Sequence, residues 1–239
     1  MDLIIFDKDG VLLDLTRTWL PVARDITHLL SKLTDGTVPA THFQDIIGIN
    51  EVTGEIDPDG LFAAGSFLDQ QAACAGIAPS LQQHFNTTAY QEAVMAIVEV
   101  NAKRDPVPLG TVSTPLEALI NAGYRLAVLT NDSERSAKRS LTKMGLMPHF
   151  EMVLGYDSGY GGKPDPAGFH AICAHCQTAP ENTIMVGDTA ADRNVAKAAQ
   201  AGLFIGISPL YPAPTKALEN VPHLLPNIEG LPHLLAQRG

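Results

Sequence analysis

The sequence of 239 residues is poor in cysteine and in positive charge, and each shortage excludes a class of protein. Three cysteines in a chain of this length do not make the disulfide framework of a small secreted domain. Sixteen lysine and arginine residues stand against 26 aspartate and glutamate residues, which gives a net charge of −10. Because there is also no basic run, nucleic acid and anionic membranes are unfavourable as main partners. A small anionic ligand is compatible with this charge, since it needs only a local positive site.

Long apolar runs are also missing, and none approaches the length of a membrane-spanning helix. The first strand follows Met1 almost directly, without the apolar segment of a signal peptide. We therefore expect a soluble, cytoplasmic protein. An apolar content of 45% and a charged content of 18% are ordinary for a globular chain, and the length suffices for one large domain or a domain with an insertion.

A short stretch near the N-terminus combines a predicted buried strand with two acids. Leu3–Phe6 is an unbroken apolar run that is too short for a helix, which is typical of a strand buried on both faces. Asp7 and Asp9 follow it, and side chains two residues apart on an extended segment point to the same side. Two carboxylates at the end of a central strand repel each other, so the pair indicates a bound cation. The simpler alternative is an Asp-Gly turn after a strand.

Two kinds of periodicity divide the chain. Apolar residues at helical spacing run from Asp14 to about residue 103, and Pro21 is expected in the first turn of the first helix. A linker over residues 105–110 follows, and beyond it strands alternate with helices. This alternation predicts an α/β fold with a doubly wound parallel sheet. The predicted domains are an α/β core, residues 1–14 and 105–239, and an all-helical cap, residues 15–104, inserted beside the cleft at the carboxyl ends of the strands.

Two proline-containing segments are interpreted as helix starts. Thr114 is expected to cap a helix whose first position is Pro115, with Glu117 completing a capping box. Asp165 is expected to cap a helix opened by Pro166, a turn that would hold the preceding Lys163 rigidly.

Further polar residues fall at the same edge of the predicted sheet. Thr130 and Asn131 follow one strand at a helix entrance, where a hydroxyl and a backbone amide suit phosphate oxygens. Asp188 and Asp192 follow another strand, where acids meet the positive end of a helix dipole. Alternatively, these residues are helix caps and Lys163 is a solvated loop lysine. Together the set matches phosphoryl transfer, which needs acids for Mg²⁺, an acid nucleophile and a cation for the phosphate.

These residues resemble the four motifs of the haloacid-dehalogenase-like superfamily. The chain carries them in the family's order as Asp7-Lys8-Asp9-Gly10-Val11, Thr130, Lys163-Pro164 and Gly187-Asp188-Thr189-Ala190-Ala191-Asp192. The resemblance covers the whole chain, and the helical insertion resembles the cap of phosphoglycolate phosphatases and β-phosphoglucomutases. Lys8 departs from the pattern, because these relatives more often have an apolar residue between the two acids.

The resemblance implies a Mg²⁺-dependent phosphomonoesterase acting on a small phosphorylated metabolite. Asp7 would attack phosphorus, and Asp9 would protonate the leaving oxygen and then assist the attack of water. The phosphoryl group would be bound by Thr130, Asn131 and Lys163. Asp7, Asp188 and the backbone carbonyl of Asp9 would hold Mg²⁺, with Asp192 orienting this group of ligands.

Other functions are weighed against this one. Haloacid dehalogenases share the fold, but they need neither the metal nor an acid at the position of Asp9. A silent binding protein would have no need for both Asp7 and Asp9. Sugar-phosphate mutases share all four motifs and differ in the cap, so the sequence leaves them open. Phosphoglycolate is the first expected substrate by resemblance, with another small phosphorylated metabolite or a mutase reaction as the alternative. A monomer or a homodimer is expected.

Ser66 is a candidate substrate contact in the predicted cap. The pair Gly65-Ser66 resembles one that faces the cleft in related caps. The alternative role of Ser66 is the N-cap of the helix that starts at Phe67, and the sequence favours neither role.

Overall fold

The short apolar runs of the sequence form a parallel β-sheet in the computed structural model, which describes residues 1–57, 59–101, 104–208 and 214–238. The strands are β1 (Leu3–Phe6), β2 (Arg125–Leu129), β3 (Met152–Leu154), β4 (Thr183–Gly187), β5 (Leu203–Ile207) and β6 (Leu224–Leu225). Their order across the sheet is β3-β2-β1-β4-β5-β6, and every neighbouring pair is parallel. The strand order therefore reverses next to β1, and the predicted doubly wound α/β architecture is confirmed.

Helices cover both faces of this sheet. One face packs against α7 (Ser113–Asn121), α8 (Glu134–Lys143) and α11 (Leu231–Ala236), and the other against α9 (Ala167–His175) and α10 (Ala190–Ala198). Along β1, Ile4 and Phe6 enter the first core while Leu3 and Ile5 enter the second, and all four are fully buried. Since burial of each such side chain contributes about 1.5–3 kcal/mol, β1 is anchored firmly from both sides.

The chain divides into two compact units. The first comprises Met1–Asp14 and Pro106–Gly239, and the second is Leu15–Asp105. The second unit contains α1 (Leu15–Leu33), α2 (Ala40–Ile47), α3 (Leu61–Ala64), α4 (Phe67–Ile77), α5 (Gln82–Phe85) and α6 (Thr88–Asn101). Its described residues form no strand, apart from an isolated bridge between Ile49 and Ile56. It has its own apolar core, which includes Phe43, Leu81 and Tyr90.

The position of Pro21 differs from the prediction. Helix α1 already begins at Leu15, so Pro21 lies inside the helix and not in its first turn. An interior proline removes one backbone hydrogen bond and costs about 3 kcal/mol. The buried residues of α1 all follow the proline, at Val22, Ala23, Thr27 and Leu30, and their packing offsets this cost. Tertiary packing thus overrides the local signal.

The predicted capping box at Thr114 is wrong. Helix α7 begins at Ser113, two residues before the predicted first position Pro115, and the residue at its N-cap position is Val112, which makes no side-chain capping bond. Val112 is buried in the core of the first unit, and this burial sets the start of the helix. At the other predicted start, α9 begins after Pro166 rather than at it. There the backbone N–H of Ala167 donates to Oδ1 of Asp165 at 2.9 Å.

The three cysteines are free and buried at Cys74, Cys173 and Cys176. Burial raises the pKa of the Cys74 thiol to about 11, so this side chain behaves as a small apolar group. In the parts of the chain that the structure describes, we find no helix with both the length and the apolar character needed to cross a bilayer.

Candidate active site

The carboxyl ends of three adjacent strands carry the predicted site residues. Asp7 directly follows β1, Thr130 follows β2 and Asp188 follows β4. Strand β1 lies between β2 and β4, and Phe6 is paired in register with both neighbours. The three polar residues therefore start from neighbouring positions at one edge of the sheet. Lys163 belongs to the loop between β3 and α9 and contacts Asp7 at the same edge.

Lys163 is a buried positive charge and not a solvated loop lysine. Its Nζ lies 2.8 Å from Oδ1 of Asp7 and donates to Oδ1 of Asp192 at 2.6 Å, and only 2% of its side chain is exposed. Burial disfavours the ammonium form, but the two carboxylates outweigh this effect and raise the pKa of Lys163 above its usual value. The side chain therefore stays charged and held in place, as a binding group for phosphate requires.

Asp192 is fixed by the first turn of α10. Its Oδ2 accepts hydrogen bonds from Oγ1 of Thr189 at 2.6 Å and from the Thr189 backbone N–H at 3.0 Å, and its own backbone N–H donates to Oγ1 of Thr189 at 3.4 Å, which completes a capping box. Its Oδ1 accepts from Lys163. Gly187 permits this close approach, since a Cβ atom there would lie 2.2 Å from Cβ of Asp192. Asp192 thus completes the capping box at Thr189 and holds Lys163 at the same time.

Asp7 and Asp188 are buried acids whose negative charges are poorly compensated. Burial is the main cause that raises the pKa of Asp7 to about 7, although Lys163 opposes it. Burial, together with the neighbouring charges of Asp7 and Asp192, also raises the pKa of Asp188 well above its usual range. Oδ1 of Asp188 is buried and has no hydrogen-bond partner among the described residues. Because Asp7 shares Lys163 with Asp192, Asp7 and Asp188 are stable together as carboxylates only if a further positive charge lies beside them.

The residues present fit a divalent metal ion such as Mg²⁺. Asp7, Asp188 and Asp192 each offer one carboxylate oxygen within 4.8 Å of the others. Mg²⁺ prefers oxygen ligands, and its charge would compensate both buried acids. Since Asp192 is already engaged by Lys163 and Thr189, Asp7 and Asp188 are the better ligands. Gly10 makes room beside them, because a Cβ atom there would lie 1.9 Å from Oδ2 of Asp188.

Thr130 and Asn131 connect β2 to the loop that carries the lysine. Thr130 is buried, and its Oγ1 accepts a hydrogen bond from the Asp132 backbone N–H at 3.2 Å. The Asn131 side chain binds the Lys163 backbone twice: Oδ1 accepts from the N–H at 2.7 Å, and Nδ2 donates to the carbonyl at 3.0 Å. Sequence reasoning missed this side-chain role, because no local pattern links residues 32 positions apart. Phosphate binding by the Asn131 backbone amide stays a prediction.

Asp9 belongs to a second group of charges, with Lys8 and Asp132. Nζ of Lys8 lies 2.9 Å from Oδ1 and 2.8 Å from Oδ2 of Asp9, and 2.9 Å from Oδ2 of Asp132. The Lys8 side chain is fully buried, whereas 17% of the Asp9 side chain is exposed. In the sequence, Lys8 is visible only as a departure from the family pattern, and no pattern singles out Asp132. The one sequence signal that could have indicated this group is a lysine between two acids, directly after the end of an apolar strand.

Ser66 lies in the second unit, where it is the N-cap of α4. Its Oγ donates to Oδ2 of Asp69 at 2.7 Å and accepts from the Asp69 backbone N–H at 3.2 Å. The Ser66 backbone N–H also donates to the Asp69 carboxylate, which completes a capping box. The bond from the Ser66 hydroxyl, together with this backbone bond, lowers the pKa of Asp69. The alternative role of Ser66 as a helix cap is therefore present in the structure, and the contact with a substrate stays a prediction.

The combination of fold and site defines a class of protein. A doubly wound parallel sheet, with paired acids after its central strand and a buried lysine at the same edge, is typical of α/β enzymes with an aspartate-based site. The model of the haloacid dehalogenase-like hydrolases matches residues 1–200, and the chain belongs to that family.

Curated relatives agree with this assignment. The phosphoglycolate phosphatase of Nitrosospira multiformis is 28% identical over 210 residues, which are 84% of this chain and 81% of that protein. The match to other curated relatives is shorter. For one phosphoglycolate phosphatase it spans only 39% of that protein's length.

Two solved structures share the fold over nearly the full chain. A predicted phosphoglycolate phosphatase from Haemophilus somnus 129PT has a TM-score of 0.72 at 20% identity and covers 98% of both chains. A protein assigned as a β-phosphoglucomutase from Thermotoga maritima has a TM-score of 0.68 at 19% identity and covers 99% of both chains. At these identities the likeness demonstrates the fold.

Proposed function

We propose that this chain is a Mg²⁺-dependent phosphatase that hydrolyses a small phosphorylated metabolite through an aspartyl-phosphate on Asp7. The observation that carries the proposal is the distance of 2.8 Å between Nζ of Lys163 and Oδ1 of Asp7, both of them buried. A nucleophilic carboxylate and a phosphoryl-binding cation have to meet in this way, because both contact the same phosphorus group. Membership of the hydrolase family and the phosphatase names of curated relatives support the same chemistry.

The metal site is part of the proposal. Asp7, Asp188 and the backbone carbonyl of Asp9 would hold Mg²⁺, which when bound supplies positive charge to the phosphoryl oxygens. Thr130 and Lys163 bind the same phosphoryl group from the side of β2 and the β3–α9 loop. Asp192 and Asn131 keep Lys163 in position through its side chain and its backbone respectively.

In the first half of the reaction, a carboxylate oxygen of Asp7 forms a bond to phosphorus as the bond to the ester oxygen breaks. Asp9 gives a proton to that oxygen, and the leaving group departs as an alcohol. The side chain of Asp9 suits this task because it is partly exposed, so an ester oxygen can approach it.

In the second half, a water molecule attacks the phosphorus of the aspartyl-phosphate and gives its proton to Asp9. The bond between phosphorus and Asp7 breaks, inorganic phosphate leaves, and both carboxyl groups return to their initial states. Asp7 is 6% exposed, and this limited access protects the intermediate from water that Asp9 does not direct.

Phosphoglycolate is the first candidate substrate, on the evidence of the names of curated relatives. The second candidate reaction is that of a sugar-phosphate mutase, which the structural likeness to the Thermotoga maritima protein favours. In a mutase, Asp7 would return the phosphoryl group to a second hydroxyl of the sugar instead of to water. The helical unit Leu15–Asp105 is proposed as the cap that selects the leaving group. The protein is further proposed to be cytoplasmic and to be a monomer or a homodimer.

A phosphate-release assay tests this function. We expect release from phosphoglycolate, or from another member of a panel of phosphorylated metabolites, that requires Mg²⁺ and stops when a chelator is added. The panel includes β-glucose 1-phosphate, and conversion of it to glucose 6-phosphate without phosphate release would identify a mutase. Full activity in the presence of the chelator, or no activity on any phosphoester, would contradict the proposal.

A further inference from the structure

Lys8 contributes a fully buried ammonium group to a site that already contains Lys163. The side chain has no exposed surface, and its Nζ contacts both carboxylate oxygens of Asp9 and one of Asp132, all within 2.9 Å. Burial alone would disfavour the charged form, but the two carboxylates outweigh it and raise the pKa of Lys8. Lys8 is therefore a permanent cation between two acids.

The fold alone gives little reason for a lysine at this position. Burying an ion pair carries a large desolvation cost, and a well-packed apolar residue of similar volume is often at least as stabilising. Lys8 directly precedes a turn that enters the apolar core, in which Val11, Leu12 and Leu13 are all fully buried. An apolar side chain would suit these surroundings. The ammonium group therefore calls for a functional explanation.

The contacts of Lys8 connect two segments that carry parts of the proposed reaction. Asp9 follows β1, and Asp132 follows β2, where its backbone N–H donates to Oγ1 of Thr130 at 3.2 Å. The Tyr156 backbone N–H donates to the carbonyl of Asp132 at 3.1 Å, which ties in the loop that leads to Lys163. Through Lys8, the carboxylate of Asp9 is held against the same segment that positions the phosphoryl-binding residues.

We propose that Lys8 is a positioning residue that fixes the protonated carboxyl group of Asp9, which gives its proton to the leaving oxygen and regains one from water, with Asp132 holding the ammonium group. Proton transfer needs the acid within about 2.6–3.2 Å of the reacting oxygen, and a free carboxylate rotates out of that range. This inference rests on the proposed function, since it assigns Lys8 a part in the same reaction. Because the ammonium group itself is fully buried, Lys8 acts through Asp9 and not directly on the substrate.

The test compares leaving groups in a single turnover. The enzyme is mixed in excess with phosphoglycolate, or with the best alkyl phosphate of the panel, and separately with p-nitrophenyl phosphate. An alkoxide needs a proton in order to leave, whereas p-nitrophenolate does not. We expect Lys8→Met to slow the first turnover of the alkyl ester by about 100-fold or more, the usual contribution of a general acid. The p-nitrophenyl ester should react at nearly the wild-type rate, and KM and the Mg²⁺ affinity should be unchanged.

Two further variants make the result decisive. Asp132→Asn leaves Lys8 in place but removes one of its two acids, so it should show the same selective loss to a smaller extent, even if Lys8→Met fails to fold. Lys197→Met removes an exposed charge of the same unit, and the reaction rate of neither substrate should change. Equal losses on both substrates, or no loss in either variant, would overturn the positioning role while the phosphatase function stands. An inactive wild-type enzyme would instead overturn the proposed function and this inference together.

Discussion

The Lys163 side chain donates a hydrogen bond of 2.6 Å to Asp192, and both side chains are almost completely shielded from solvent. The same ammonium group also contacts Asp7. Lys163 therefore compensates two buried carboxylates in addition to its proposed contact with phosphate. Loss of this residue should impair folding stability and catalysis together.

Replacement of Lys163 by methionine should destabilise the metal-free protein by about 3–5 kcal/mol, the usual effect of leaving a buried charge without its partner. Turnover of every phosphoester should be lost, since the phosphoryl group also loses its cation. Urea denaturation measures the stability, and Lys197→Met, an exposed lysine of the same unit, is the control. Wild-type stability and activity in Lys163→Met would contradict the arrangement described here.

Replacement of Asp188 by asparagine should stabilise the metal-free protein at pH 8. The pKa of Asp188 is raised by burial and by two neighbouring acids, so its charged form opposes folding at this pH. Relief of about 1 kcal/mol would raise Tm by about 2–4 °C in a protein of this size. With Mg²⁺ present, wild type should become the more stable of the two proteins. Binding of Mg²⁺ stabilises wild type by mass action, whereas the variant lacks one of the metal ligands. A thermal scan with and without Mg²⁺ measures both effects, and an unchanged response of Asp188→Asn to Mg²⁺ would remove Asp188 from the metal site.

The affinity for Mg²⁺ should depend on pH in a defined direction. The pKa of Asp7 is raised to about 7 without metal, so below this pH a proton competes with the cation for the carboxylate. For each proton that Mg²⁺ displaces, the dissociation constant of Mg²⁺ should rise about tenfold per pH unit below 7. Without metal, stability should fall as the pH rises through the window between 3.8 and about 7, because the folded state binds the proton more tightly. Calorimetric titration from pH 5.5 to 8.5 measures the affinity, and a flat profile would contradict the assignment.

Replacement of Ser66 by alanine distinguishes its two roles. Loss of the cap should cost about 0.5–2 kcal/mol of stability and change the kinetics of all substrates equally. A contact with the substrate should in addition raise KM for the preferred phosphoester, while p-nitrophenyl phosphate is hardly affected. Asp69→Ala is the matched control, since it breaks the capping box but keeps the Ser66 hydroxyl. Equal kinetic effects in Ser66→Ala would remove Ser66 from the specificity site and leave the core chemistry unchanged.

The sequence was sufficient to predict the sheet, because Leu3–Phe6 and the other buried strands are short apolar runs with no competing helical period. It was less reliable at helix ends: packing of Val112 and of the buried residues after Pro21 overrode local capping and proline signals. The contacts that hold the site together were hidden for another reason. The bonds of Asn131 to Lys163 and of Lys8 to Asp132 join residues far apart in the sequence, and no local pattern records them.

Transfer of the phosphoryl group to Asp7 is the central claim, and trapping the intermediate tests it most directly. Wild-type enzyme is mixed with substrate and Mg²⁺, quenched in acid during turnover, digested and examined by mass spectrometry. We expect one phosphoryl group on the peptide that contains Asp7, and a beryllofluoride adduct at the same residue. Folded Asp7→Asn should show neither adduct nor turnover, because an amide does not attack phosphorus. Turnover by Asp7→Asn, or a phosphoryl group on another residue of the wild type, would contradict the account.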